Sequence, residues 1–478
     1  MRYHFCGVLA IAVAWVAGNA AAATNDGVWR SRGYGVILKI HGNQASVFDH
    51  TGAFCFKRSG PDADIEDLFR DPELSSDGKL LATVSIEALT KIDYDRLNDL
   101  PTACRQKPSQ DLKDPQYNFD VFWSYFNDYY AFFSQRAVDW GALRERYRSM
   151  LGAQTTDADL LDIFRAMLLR LQDRHTNVHT DSFYVNPATT DLFDQWQAEY
   201  FRDKALLNDP EDFHLEKTRI FLRPAWNHYL DPGSLRQLSS SVTIGTAGSG
   251  RFGYIAVLAE EGARGVKTEP ESIATGVAPL DAAFATMKGR SGLIVDVRIN
   301  YGGDDEIALA LAGLIADRDR PGFIKCTRDG AGFTPAQETR VRRRPNAFDG
   351  PVVVLSSPHN VSSGENFAMM AKSFPNVVLV GDRTASVHSD VLQKRLPNGW
   401  KIGISNEAFV APDGSMYETV GVAPDVLVPY YPEAVKESGV DPLLEKALDL
   451  LGSSHFAALS AAVKRGPMGR ASPCPQQR

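Results

Sequence analysis

From Phe252 to Val380, short apolar runs alternate with helical patterns, and this alternation constrains the fold more than any other feature of the 478-residue chain. The runs are Gly253-Tyr254-Ile255-Ala256-Val257, Gly292-Leu293-Ile294-Val295-Asp296-Val297, Pro351 to Ser356 and Val377-Val378-Leu379-Val380. Helical patterns cover Leu280 to Met287, Glu306 to Ile315 and Ser362 to Phe374. Strands and helices in that order argue an α/β layer fold.

Upstream the pattern changes twice. Gly33 to Ile40 and Ala45 to Phe48 read as two strands joined by a turn at His41-Gly42-Asn43, and Leu80 to Val84 follows the turn residues Asp77-Gly78. A small β-rich module is therefore expected over residues 24–104. Phe119, Phe122, Trp123, Phe126, Tyr129, Tyr130 and Phe133 then recur at helical spacing, an aromatic stripe that faces a core. Asp139 is placed to cap a second helix through Met150, and Asp157 a third that stops near Asp173, just before His175. These helices make up a subdomain over 105–182. The polar, proline-spotted residues 183–250 read as an irregular connection, 251–450 as the α/β core and 451–478 as a tail.

Met1 to Ala23 reads as a secretory leader, with Arg2, an apolar run from Phe5 to Gly18 and Ala20 to Ala23 as small-residue cleavage sites. The run falls short of the ~20 residues that a spanning helix needs, so no stable membrane span is expected and the mature protein is placed in the periplasm or outside the cell. Export leaves Cys55, Cys104, Cys326 and Cys474, which allow three pairings. Cys55 with Cys104 is favoured because both fall in one segment. A net charge of -8 with no basic stripe interleaved with aromatics argues against nucleic acid. Arg340, Arg342, Arg343 and Arg344 read as a solvated loop.

Two loops carry residues suited to chemistry. The strand ending at Val297 runs into Arg298-Ile299-Asn300-Tyr301-Gly302-Gly303, a paired-glycine turn with bare backbone N–H groups. The strand ending at Ser356 runs into Val361-Ser362-Ser363-Gly364-Glu365, where Ser362 opens a helix beside free donors and the positive end of its dipole. Together they can supply a nucleophile and an oxyanion hole. Ser362-x-x-Glu365 also fits a capping box, and Gly302-Gly303 a plain tight turn. Local pattern leaves both readings open.

A resemblance bears on the choice. Asp296-Val297-Arg298-Ile299-Asn300-Tyr301-Gly302-Gly303 resembles the Asp-x-Arg-x-Asn-x-Gly-Gly signature of the carboxy-terminal-processing and tricorn-core serine peptidases, and Ser362-Ser363-Gly364-Glu365 resembles their Ser-Ala-x-Glu nucleophile motif. Gly381-Asp382-Arg383-Thr384-Ala385 and the closing Glu418 to Asp425 follow in the family's order, and Leu171 to Thr176 resembles the Leu-x-Asp-x-His-Thr segment of tricorn-like members. No PDZ domain is evident. The resemblance implies a crotonase/Clp-protease-like core, peptide or protein substrates, and no metal or cofactor. It also implies Ser362 as nucleophile, with Gly303, Ser363 and also Gly302 as oxyanion donors. Where the processing branch carries a lysine base this chain reads Ala385-Ser386-Val387-His388-Ser389, so the tricorn-like pattern is favoured, with His175 as base and Glu418 in the polar network. Imidazole suits a proton relay near neutrality. His388 is the alternative base, and Lys394 is a more distant one. The competing reading is a non-catalytic relative, one that holds apolar ligands as the retinoid-binding proteins of the photoreceptor matrix do, or an inactive scaffold that presents peptides to a partner. Neither oligomeric state nor cleavage preference follows from the sequence.

Overall fold

The computed structural model describes residues 25–85, 89–106, 110–180, 183–186, 195–196, 199–200, 210–263, 266, 269–430, 432–454, 456–463 and 474. The expected leader lies outside them. The fold is mixed α/β with several sheets. Among the described residues no helix is long and apolar enough to cross a membrane.

The central sheet has seven strands, in the order Arg236–Gln237, Val242–Ala247, Phe252–Val257, Gly292–Asp296, Val352–Ser356, Val377–Gly381 and Val426–Leu427. The first two junctions are antiparallel and the rest parallel. Its inner strands are buried at every position because helices cover both faces. Leu293, Val295, Val352 and Val354 pack with Phe284, Leu311 and Phe367 on one side. Ile294, Val353 and Leu355 pack with Trp226, Leu443 and Ala447 on the other. Period-two alternation thus splits one apolar strand between two cores.

The stretch 183–250 differs from the irregular connection its composition suggests: it holds the helix Pro210–Tyr229 and the two strands that begin the central sheet. Phe213, Phe221, Leu222, Ala225 and Trp226 form that helix's buried stripe, which intervening charged residues hide in a linear reading. The segment after 450 also holds structure, the helix Phe456–Val463, and Cys474 is bonded to Cys326. Cys55 is bonded to Cys104.

The aromatic stripe lies on the helix Pro115–Tyr129 as far as Tyr129, with Tyr130 at its C-cap and Phe133 in the turn beyond, and it packs with Trp140, Phe164 and Leu168. Asp139 accepts from Ala142 N at 2.9 Å at the next helix start. The third helix, Asp157–Leu171, is capped by Thr156 rather than Asp157, with Asp159 completing a capping box. Beyond it the chain turns and enters the strand Asn177–His179, which pairs with Lys401–Ser405 and so ties the helical segment to the region around the closing motif.

Eight strands between Gly27 and Leu97 form a separate antiparallel sheet. It docks on the rest through buried polar contacts: Lys394 Nζ donates to Asp49 Oδ1 at 2.7 Å and Gly35 O at 2.9 Å, Asn406 donates to Gly33 O, and Tyr34 donates to Glu407. Lys394 is thereby committed to this junction, which removes it as an alternative base.

Candidate active site

The loops after Gly292–Asp296 and Val352–Ser356 leave the carboxyl ends of neighbouring parallel strands, the usual place for a site in an open α/β sheet. They then pair with each other: Ile299–Asn300 runs parallel to His359–Asn360, and Val361 N donates to Asn300 O at 2.9 Å. That miniature ladder brings the glycine turn against Ser362. A Cβ on Gly302 would lie 2.5 Å from Ser362 Cβ and 3.2 Å from its Oγ.

Ser362 has φ 57° and ψ -128° and caps nothing with its side chain. The capping-box alternative is thus corrected: Glu365 instead accepts from Thr384 Oγ1 at 2.5 Å, Ser386 N at 2.7 Å and Val387 N at 2.8 Å. Ser386 at φ 71° and Thr419 at φ 72° are also left-handed, and the three strained residues are linked, since Ser362 N donates to Val387 O and Thr419 N to Ser386 O, each at 3.1 Å. Such conformations cost about 1–3 kcal/mol apiece and cluster where function requires them.

The three expected oxyanion donors divide. Gly302 N–H is spent on Asn300 Oδ1 at 2.8 Å, which corrects its assignment as a donor. Gly303 N–H and Ser363 N–H make no hydrogen bond among the described residues. Gly303 is exposed, while Ser363 is buried and turns its own hydroxyl to Glu260 Oε2 at 3.0 Å.

His175 sits in the turn after Leu171, where its backbone N–H donates to Asp173 Oδ1 at 3.0 Å and Thr176 N donates to Asp173 O at 3.0 Å. Its Nδ1 is buried without a hydrogen-bond partner. Among the described residues no hydrogen bond joins it to Ser362. Burial lowers its pKa, opposed by the nearby carboxylates of Asp173, Glu365 and Asp390, so the ring is neutral at neutral pH. His388 is 1% exposed, with Nδ1 2.9 Å from Asn366 Oδ1 and Nε2 3.4 Å from Glu365 Oε1. Burial lowers its pKa too. It is enclosed by the groups behind the serine.

Glu418 Oε2 accepts from His388 N at 2.7 Å and Ser389 N at 3.3 Å, while Oε1 accepts from Arg136 at 2.9 Å. Arg136 also lies 3.7 Å from Asp173, whose Oδ2 accepts from Tyr130 at 3.0 Å. Burial and the Asp173 charge push the Glu418 carboxyl up to about 8 against the pull of Arg136. One network therefore spans the His175 turn and the loop beside Ser362. Asn366, Arg136 and Glu260 belong to this architecture without having been singled out in the sequence. For Glu260, the available signal is a carboxylate just past the carboxyl end of a core strand. Among the described residues no group of three or more His, Cys, Asp or Glu is arranged to hold a metal ion.

Comparison with known proteins gives two family matches: residues 253–428 match peptidase family S41, and 111–169 match the tricorn protease C1 domain. The chain is 27% identical to the tricorn protease of Thermoplasma volcanium over 206 residues, 42% of this chain and 18% of that protein. It is 25% identical to tricorn protease homolog 1 of Streptomyces coelicolor over 389 residues, 70% of this chain and 34% of that one. The chain thus spans well under half the length of these relatives. Among solved structures, a candidate peptidase from Parabacteroides merdae superposes with TM-score 0.56 at 22% identity, covering 71% of this chain and 98% of that one. Mature CPAF does so with TM-score 0.52 at 11% identity, covering 75% and 99%.

Proposed function

We propose, from the premise that this chain is a tricorn-like member of peptidase family S41, that it is an exported serine peptidase hydrolysing peptide bonds, with residues 251–450 as a crotonase-like catalytic core. Ser362 attacks the amide carbonyl while His175 takes its proton. His175 then returns the proton to the leaving amine as the acyl-enzyme forms, and water repeats the cycle to release the second product. The developing oxyanion is held by the N–H groups of Gly303 and Ser363. Glu418 keeps the His388-Ser389 backbone and Arg136 in place, and so orients the base turn through Asp173.

The observation that carries this reading is the backbone of Ser362: its left-handed conformation frees the hydroxyl from capping and sets it beside a turn with an unengaged donor. Enzymes hold such strain when it positions a reacting atom. His175 is favoured over His388 because His388 is closed in by Asn366 and Glu365.

The test is labelling with a fluorophosphonate together with cleavage of a peptide library, using Ser362→Ala as control. Modification at Ser362 and turnover lost in the variant are expected. A protein that neither labels nor cleaves, and that retains a bound apolar or peptide ligand, belongs to the ligand-holding reading instead.

A further inference from the structure

We infer that Glu260 is a positioning residue that holds the two walls of the oxyanion hole in register; this rests on the roles given above to Ser362, Gly303 and Ser363. Glu260 lies just past the strand Phe252–Val257 and is wholly buried. Its Oε1 accepts from Asn300 Nδ2 at 2.8 Å and its Oε2 from Ser363 Oγ at 3.0 Å. Its backbone joins the same turn, with its N–H donating to Gly302 O at 2.9 Å and its carbonyl accepting from Asp304 N at 2.7 Å. Asn300 in turn takes up Gly302 N–H and leaves Gly303 as the donor that remains. One side chain therefore spans both sources of the proposed oxyanion donors, the glycine turn and the first residue of the helix Ser363–Ala371.

A merely structural role does not account for the choice of residue. A buried carboxyl is costly, and among the described residues Glu260 has no ion-pair partner, so packing alone favours an apolar side chain. Burial and the adjacent Glu261 push it up to about 7, against the two side-chain hydrogen bonds. What this side chain supplies is two hydrogen-bonding atoms a fixed distance apart. Glutamine keeps both links, with Oε1 facing Asn300 Nδ2 and Nε2 donating to Ser363 Oγ, whereas alanine keeps neither.

The experiment compares wild type, Glu260→Gln, Glu260→Ala and Ser363→Ala on a peptide found in the library screen, with far-UV circular dichroism to establish folding. In Glu260→Ala, kcat is expected to fall ~10-fold or more with KM within about twofold, because the loss is confined to transition-state stabilisation. Glu260→Gln should retain kcat within about threefold. Ser363→Ala cuts the second link alone and should lower kcat in the same way, so it serves if Glu260→Ala does not fold. Folded Glu260→Ala or Ser363→Ala with wild-type kcat overturns the inference, as does Glu260→Gln failing as badly as Glu260→Ala. An inactive, unlabelled wild type defeats the peptidase reading itself, which separates the two failures.

Discussion

Replacing Gly302 by alanine tests the site through one atom. At φ +91° the new Cβ would lie 2.5 Å from Ser362 Cβ, 3.1 Å from Val361 O and 3.2 Å from Ser362 Oγ. An ordinary contact begins at 3.4 Å, so turn and serine must part by about 0.9 Å. A misplacement of about 1 Å at a reacting centre costs roughly 100-fold in rate, equivalent to about 2.7 kcal/mol of activation free energy. The left-handed backbone adds about 1–2 kcal/mol to the folding cost. Gly302→Ala should therefore show kcat down by roughly 100-fold and fluorophosphonate labelling slowed in proportion. Gly42→Ala is the control, since Gly42 is also left-handed but a Cβ there meets nothing within 4 Å. It should lose about 1–2 kcal/mol in a urea titration with kcat unchanged. A Gly302→Ala protein that is destabilised like the control yet keeps kcat within about threefold of wild type refutes the placement of the proposed nucleophile against this turn.

Other consequences of the structure are open to direct measurement. Burial opposes ionisation of Asp49, but the Lys394 and Arg58 charges outweigh it and hold the carboxyl at about 2. Its contribution is complete above the unfolded value of about 3.9 and is lost as pH falls through about 2, so Asp49→Asn should flatten the acid limb of a stability-versus-pH curve by about 2 kcal/mol; an unchanged limb counts against it. Arg136→Ala leaves the buried Asp173 carboxylate without its cation and the Glu418 carboxyl without its donor, and should cost about 3–5 kcal/mol in chemical denaturation. Removing the Cys55–Cys104 bridge, which spans a separation of 49 residues, should lower stability by about 4 kcal/mol on loop entropy, measured as a shift in urea midpoint of the double alanine variant.

Which parts were legible follows from how each is built. The central strands announce themselves because both faces are buried, so Leu293 to Val295 and Val352 to Leu355 are apolar without interruption. The helix Pro210–Tyr229 escapes a linear reading because its buried stripe is interleaved with Arg219, Arg223 and His228 and interrupted by Pro224, which leaves no clean period. In the site, Ser362 and the glycine turn stand in contiguous motifs, whereas the links through Glu260, Arg136 and Asn366 exist only across space. The spent N–H of Gly302 was equally invisible, because the motif gives the order of the residues and not which amide the Asn300 side chain engages. Asp139 is readable as a cap, whereas Asp157 and Thr156 are both residue types that favour that position, and only the structure assigns the cap to Thr156.

The docking of the first sheet has a practical consequence for anyone building chimeras. The regions matched by the two families begin at residue 111, but the fragment they outline is not a self-sufficient cassette. Without the Gly27–Leu97 strands, Lys394 would lose Asp49 and Gly35 O as partners, and Glu407 would lose the phenol of Tyr34. Transplanting this core onto another scaffold therefore means carrying the Gly27–Leu97 sheet with it.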